Sequence, residues 1–415
     1  SALGSNTTGS NNVAVGKNAL YLNTTGNYNV GIGANSLSNN DTASENTAIG
    51  YNSAKEITTG TRNTVVGYAA LDACTTGDDN VAIGQAALSN ATTSSDNTAV
   101  GRSALIANTT GFANVALGRS ALAANTTANE NTAIGKSALS DNTTGGGLVA
   151  VGKDALKGNT TGSSNTAVGL FSMYNNTTGE KNNAFGREAL EANTTANYND
   201  AFGYQALHSN TTGSQNCAFG WQTLKDNTTS NGNSGFGYAS LWLNSTGANN
   251  TAVGNSSLQS NTTASNNAAI GAYALTANTT GAQNTALGAY SLDANTTGES
   301  NTGVGNEALE NNTTANDNVA IGVHAMGANT TGTANTAVGR GALDVNETGN
   351  SNVAIGYEAM DACTTGSSNI GIGRNALGSL TTANNITAVG HDALRDLTTG
   401  YHNAALGYQA GMSNT

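Results

Sequence analysis

Asn97–Ala113 reads NTAVGRSALIANTTGFA, and this seventeen-residue phrase recurs along the whole chain. Its fifth residue, Gly101, belongs to a series of 24 glycines that runs from Gly16 to Gly407 at that spacing. Its fourteenth, Thr110, belongs to an equally unbroken series of 24 threonines from Thr8 to Thr399. Neither series is interrupted by an insertion or deletion. A fixed period of this kind marks a stacked repeat architecture. It overrides the two or three domains that 415 residues would otherwise suggest. The predicted organisation is therefore one continuous array over residues 1–415, a solenoid rod.

With Asn97 as position one, the repeat separates an inside from an outside. Position four is always apolar, as in Val15, Ile32 and Phe185, and position nine is nearly always Leu or Met. Position three is Ala or Gly except at Val65. Of 40 charged residues, only Asp41, Asp200 and Glu347 lie outside positions six, seven, ten, eleven, sixteen and seventeen. Substitutions orient the polar positions. Asn at position twelve gives way to Ile57, Cys74, Ala91, Cys363, Leu380 and Leu397, so it points inward. Asn at position one gives way only to Leu148 and Ile386, with the same implication. Position thirteen departs from Thr to Asp41, Ser245 and Glu347, so it faces water.

These patterns predict an all-β fold, a parallel β-solenoid of about 24 turns. Positions one to five read as a strand ending at Gly101, and positions twelve to fourteen as a second strand with in–out–in alternation. The segment between them is a bend or one helical turn. Asn97, Asn108 and Thr110 are expected to form internal ladders, each side chain bonding its copy one turn along, because buried amides and hydroxyls need partners. Proline is absent, as a continuous ladder requires. The first strand is uncharged on both faces while each turn offers little apolar core, which points to packing against further copies and to a trimer.

Composition narrows the function. A net charge of −12 argues against a nucleic-acid partner. No apolar stretch approaches the roughly 20 residues of a membrane span. Three cysteines make no disulfide framework, and Cys74 and Cys363 lie too many turns apart to bond. The chain starts and stops inside a repeat, which predicts a longer natural product.

The motif N-T-A-V-G-x-x-A-L, as at Asn97–Leu105, resembles the repeated S-x-A-I-G-x-x-A motif of YadA-type trimeric autotransporter heads. Related repeats occur in phage fibre proteins. The repeat here carries NTTG as an additional recurring element. The resemblance implies a left-handed parallel β-roll, assembled as a trimer, in an extracellular fibre on a cell surface or virion that adheres or spaces.

Several motifs bear on what such a fibre would do. Sequons at Asn6, Asn23, Asn40, Asn108 and Asn125 fall in the repeat phase, so they read as structural rather than as glycan acceptors. Columns of Thr raise an ice-binding surface as an alternative, and a self-polymerising filament is another. Position six is the most variable outward column and the place to look for recognition. Its run Tyr204, Trp221, Tyr238, with Trp242 nearby, suits stacking on sugar rings and is the candidate site for a surface glycan or host-cell receptor. Its run Arg102, Arg119, Lys136, Lys153 is the candidate site for an anion or an anionic partner. Catalysis finds no footing. His208, His324, His391 and His402 occupy four different repeat positions and form no cluster with Cys or carboxylates in the sequence. The expectation is no enzyme, no cofactor and no metal.

Overall fold

A computed structural model of the chain describes residues 1–413. It is a parallel β-solenoid of about 24 turns, with one three-residue strand per turn and no helix among the described residues. The chain falls into two compact units, Ser1–Thr212 and Gly213–Thr415. The first carries β1 (Val13–Val15) to β12 (Asp200–Phe202), and the second β13 (Cys217–Phe219) to β24 (Ala404–Leu406). Within each unit the strands stack in parallel with no slip. Thus β6 (Thr98–Val100) meets β7 (Val115–Leu117) with Ala99 opposite Ala116 and Val100 opposite Leu117. The strand occupies positions two to four, shorter than the five residues expected.

The register extends well beyond the strands. Thr98, Leu105, Ala107 and Thr109 each donate their N–H to a carbonyl of the following turn, and Gly101 and Ser103 to a carbonyl of the preceding one. Bends between strands are closed locally, for example by Ala104 N–H to Gly101 O and Asn108 N–H to Leu105 O. The backbone turns these corners through left-handed residues, Ser103 at φ 57°, Leu105 at φ 51° and Ala113 at φ 53°. An apolar Leu in that region costs of the order of 1 kcal/mol, which its complete burial offsets. The Ala-Leu segment is therefore a bend. Gly101 is required on two counts. Its φ is +133°, and a Cβ there would lie 2.6 Å from the Gly118 carbonyl oxygen of the next turn.

Only small groups fill the interior. Per turn the buried side chains are those of Ala99, Ala104 and Leu105, together with Asn97 and Asn108. The two amides use the same acceptor, donating to Gly111 O at 3.0 and 2.9 Å. Position three of the strand faces this core. Positions two and four face out, so the apolar column at position four lies on the surface: Leu117 is 44% exposed and Ile134 37%.

Positions twelve to fourteen form a bend rather than a second strand. The in–out–in alternation therefore fails there, and Thr110 is a correction to the expected ladder because its side chain is exposed. The hydroxyl ladder runs one residue earlier, where Thr109 Oγ1 donates to Thr126 O at 3.0 Å. Position thirteen is thus half-buried rather than open to water.

The two asparagine columns differ in a way that explains how they vary. At position twelve the amide of one turn donates to the carbonyl oxygen of the turn before, as Asn125 Nδ2 does to Asn108 Oδ1 at 2.9 Å. An aliphatic residue supplies no such donor. Asn40 Oδ1, which precedes Ile57, and Asn346 Oδ1, which precedes Cys363, are accordingly buried without a partner. Each interruption leaves one orphaned oxygen, whatever its length. The substitutions come in blocks of three turns, Ile57–Cys74–Ala91 and Cys363–Leu380–Leu397. At position one a backbone N–H makes the link instead. Leu148 N–H donates to Asn131 Oδ1 at 2.9 Å and Ile386 N–H to Asn369 Oδ1 at 3.0 Å. An aliphatic residue there orphans no carbonyl, and both substitutions occur singly.

Ala91→Asn should therefore stabilise the first unit by about 1 kcal/mol, since its amide oxygen would accept from the second N–H of Asn108 and extend the ladder with no new orphan. Leu148→Asn in the first unit should give clearly less, because Asn131 Oδ1 is already satisfied. Urea unfolding of the two variants measures the difference.

Candidate recognition surface

In-register stacking brings like residues face to face on the outside. At position six, Tyr51 and Tyr68 stack with ring centroids 5.4 Å apart. Trp221 and Tyr238 do the same at 4.7 Å with planes 2° apart. The solenoid thus converts a sequence period into surface files with an interval near 5 Å, close to the ordinary spacing between strands.

The residues of the expected aromatic site fall in both units. Tyr204 belongs to the first unit, where Arg187 lies over its ring at 5.9 Å. Trp221, Tyr238 and Trp242 belong to the second. There the exposed Trp221–Tyr238 pair forms a platform, and Trp242 meets Trp221 edge-on at 6.4 Å. Lys225 covers Trp242 at 5.7 Å, and Trp242 Nε1 is buried with no acceptor. Two parallel, face-to-face rings with a near-perpendicular third make an exposed aromatic corner whose apolar surface suits the apolar face of a sugar.

Arg102, Arg119, Lys136 and Lys153 stand on four consecutive turns, all exposed. Lys153 has Asp154 at 3.7 Å and the Phe171 ring at 5.4 Å. Among the described residues the other three make no ion pair or ring contact. Asn97, Asn108 and Gly101 lie inside or against the next turn, as described above, and present nothing to a ligand. Both N–H groups of a typical position-twelve amide are committed, for instance those of Asn125 to Asn108 Oδ1 and Ala128 O. A glycan on that side chain would require both bonds to break. Threonine hydroxyls open to water form an unbroken file at position fourteen and recur intermittently at position two, as at Thr64, Thr285 and Thr387.

Two polar clusters were not legible in the sequence, because they join positions seven and ten of different turns. Glu188, Glu191 and His208 place one ligand atom each within 4.8 Å of one another. Arg187 and Gln205 already engage the Glu188 carboxylate, at 2.8 Å each, and hold it below the usual carboxylate range. The second cluster lines a shallow cleft of about 210 Å³ among His324, Arg340, Asp344, Glu358 and Asp361. Burial pushes the Asp344 and Asp361 carboxyls up. Position ten thus holds its acids in a partly desolvated strip, which no single repeat reveals.

The cysteines divide by depth. Burial in the position-twelve column raises the Cys74 and Cys363 thiols to about 11. Cys217, on the strand's outer face, is half-buried.

No protein-family model matches this chain, and no curated protein matches it. No helix among the described residues is long and apolar enough to cross a membrane. The geometry therefore carries the functional reading by itself.

Trp221→Ala removes half of the stacked platform while leaving the core untouched. On a glycan array it should abolish the binding of neutral glycans that the unaltered chain shows. Unchanged binding would remove the aromatic corner from consideration.

Proposed function

We propose that this chain is a segment of a non-enzymatic extracellular fibre, structural and adhesive, whose copies associate through the outer face of the strands. The observation that carries the reading is the apolar file at position four. It faces away from the chain's own core in every turn, and positions two and four together contain a single charged residue, Asp200. Each turn leaves on the order of 50 Å² of such side chain open, so twelve turns expose about 600 Å², the upper end of what monomers leave in one patch.

Residue type at position two also changes with that at position four. Where position four is Phe185, Phe202, Phe219 or Phe236, position two is Asn183, Asp200, Cys217 or Ser234. In every other turn position two is Thr, Val, Ile or Ala. Three-fold closure about the strand face is the assembly that the resemblance to YadA-type heads and phage fibres suggests, with a left-handed coil. A surface or virion location follows from that resemblance alone.

Position six, beside this face, supplies what varies from turn to turn, and so the adhesive part of the function. An ice-binding role has less support. The hydroxyls of position fourteen form one file flanked by residues such as Phe112 and Glu130, and position thirteen spends its hydroxyls on backbone carbonyls.

Light scattering should give three times the 41.3 kDa chain mass. The triple variant Leu117→Lys/Ile134→Lys/Leu287→Lys should be monomeric with its turns intact. A monomeric unaltered chain would overturn the assembly.

A further inference from the structure

Fourteen lysines and arginines serve a chain of net charge −12, and most are engaged. Some meet carboxylates, as Arg62 meets Asp79 at 2.7 Å and Arg395 meets Asp396 at 2.9 Å. Others meet phenol oxygens or rings, as Lys181 meets Tyr198 Oη at 3.2 Å and Arg374 covers Tyr357 at 5.5 Å. Among the described residues only Lys17, Arg102, Arg119 and Lys136 have no such contact. Three of these four stand on consecutive turns of one column, and Lys153 continues it into a fourth turn. Residues 97–140 contain one acid, Glu130, which sits at position seventeen.

Like charges placed in register repel unless an opposite charge lies along them. Elsewhere like charges in register come at most in pairs, as Asp293 with Glu310 and Asp344 with Asp361, and no other column places more than two on consecutive turns. We infer that the Arg102–Lys153 column is a docking track for a linear acidic polysaccharide with one carboxylate per sugar, a polyuronate. The charge sign selects a polyanion, and the interval selects among polyanions. The solenoid presents one cation per turn, near the strand spacing of about 5 Å, about the advance of one sugar ring in an extended chain. Duplex nucleic acid offers a phosphate every ~3.4 Å along each strand and winds away from a straight file. Beside the cations, Ser103, Ser120 and Ser137 at position seven are partly exposed, within the same strip, and supply hydroxyls suited to sugar hydroxyls. The track deepens the adhesive part of the proposed function and rests on it. The aromatic corner belongs to the other unit.

The test uses the full chain and a defined oligogalacturonate, measured by surface plasmon resonance over a range of salt. Binding should weaken with salt with a slope of roughly −3 on a log–log plot, as four neutralised charges require. The variant Arg102→Ser/Arg119→Ser/Lys136→Ser/Lys153→Ser should lose at least about tenfold in affinity and most of that slope. Its unchanged melting temperature would show that the fold is kept. The four substitutions should leave the chain's response to a cello-oligosaccharide of equal length unchanged, and an oligothymidylate of equal charge should bind at least about tenfold more weakly than the oligogalacturonate. Absence of oligogalacturonate binding, an unaffected variant, or equal binding of the oligothymidylate would each overturn the inference. Those results would leave the light-scattering test of fibre assembly untouched, so the two readings fail separately.

Discussion

Everything in this fold depends on keeping buried asparagine amides bonded from one turn to the next. The interior of a turn holds one Leu and two Ala, too little apolar surface to order seventeen residues. Asn97 and Asn108 complete it, and both are fully buried. An amide in that position is costly unless its donors and acceptor are satisfied. Here its own copy, displaced by one turn, supplies the missing group. The same requirement fixes the register, since a slip between turns would separate every pair at once. Stability is therefore shared between neighbouring turns, as in other solenoids.

The backbone follows from that constraint. To bring each side chain directly over its copy, every turn must close on the same seventeen residues. The chain does so with short three-residue strands and bends that pass through left-handed residues at Ser103, Leu105 and Ala113. Glycine is indispensable where the next turn's carbonyl leaves no room, as at Gly101. Elsewhere even Leu adopts a positive φ, because its burial outweighs the strain. Outside this frame, position six changes freely. A rigid interior with a variable outer file suits a fibre whose chemistry differs along its length.

The repeat, the solenoid class and the inward direction of Asn97 and Asn108 were legible in the sequence, because substitution by Leu, Ile and Cys reveals a buried amide. Thr110 was misread. Period-two alternation belongs to a strand, whereas this segment bends, and an invariant residue is not thereby an internal one. The outward direction of position four was hidden for a related reason. An apolar file looks the same in a sequence whether it packs in its own core or against something else. The aromatic run was legible as a file along position six. The clusters at Glu188–His208 and Asp344–Asp361 join different turns and were beyond a reading of single repeats.

The most direct test compares two neighbouring positions in one ladder. Asn346 already has an orphaned oxygen, so Asn346→Leu only moves the orphan back to Asn329. Asn329→Leu would instead orphan Asn312 Oδ1 and also take an acceptor from Asn346. Equilibrium unfolding should find Asn329→Leu the more destabilising of the two by about 1–3 kcal/mol, the cost of newly unsatisfied buried groups. Equal losses from the two substitutions would contradict the claim that turn-to-turn amide bonding holds the solenoid together.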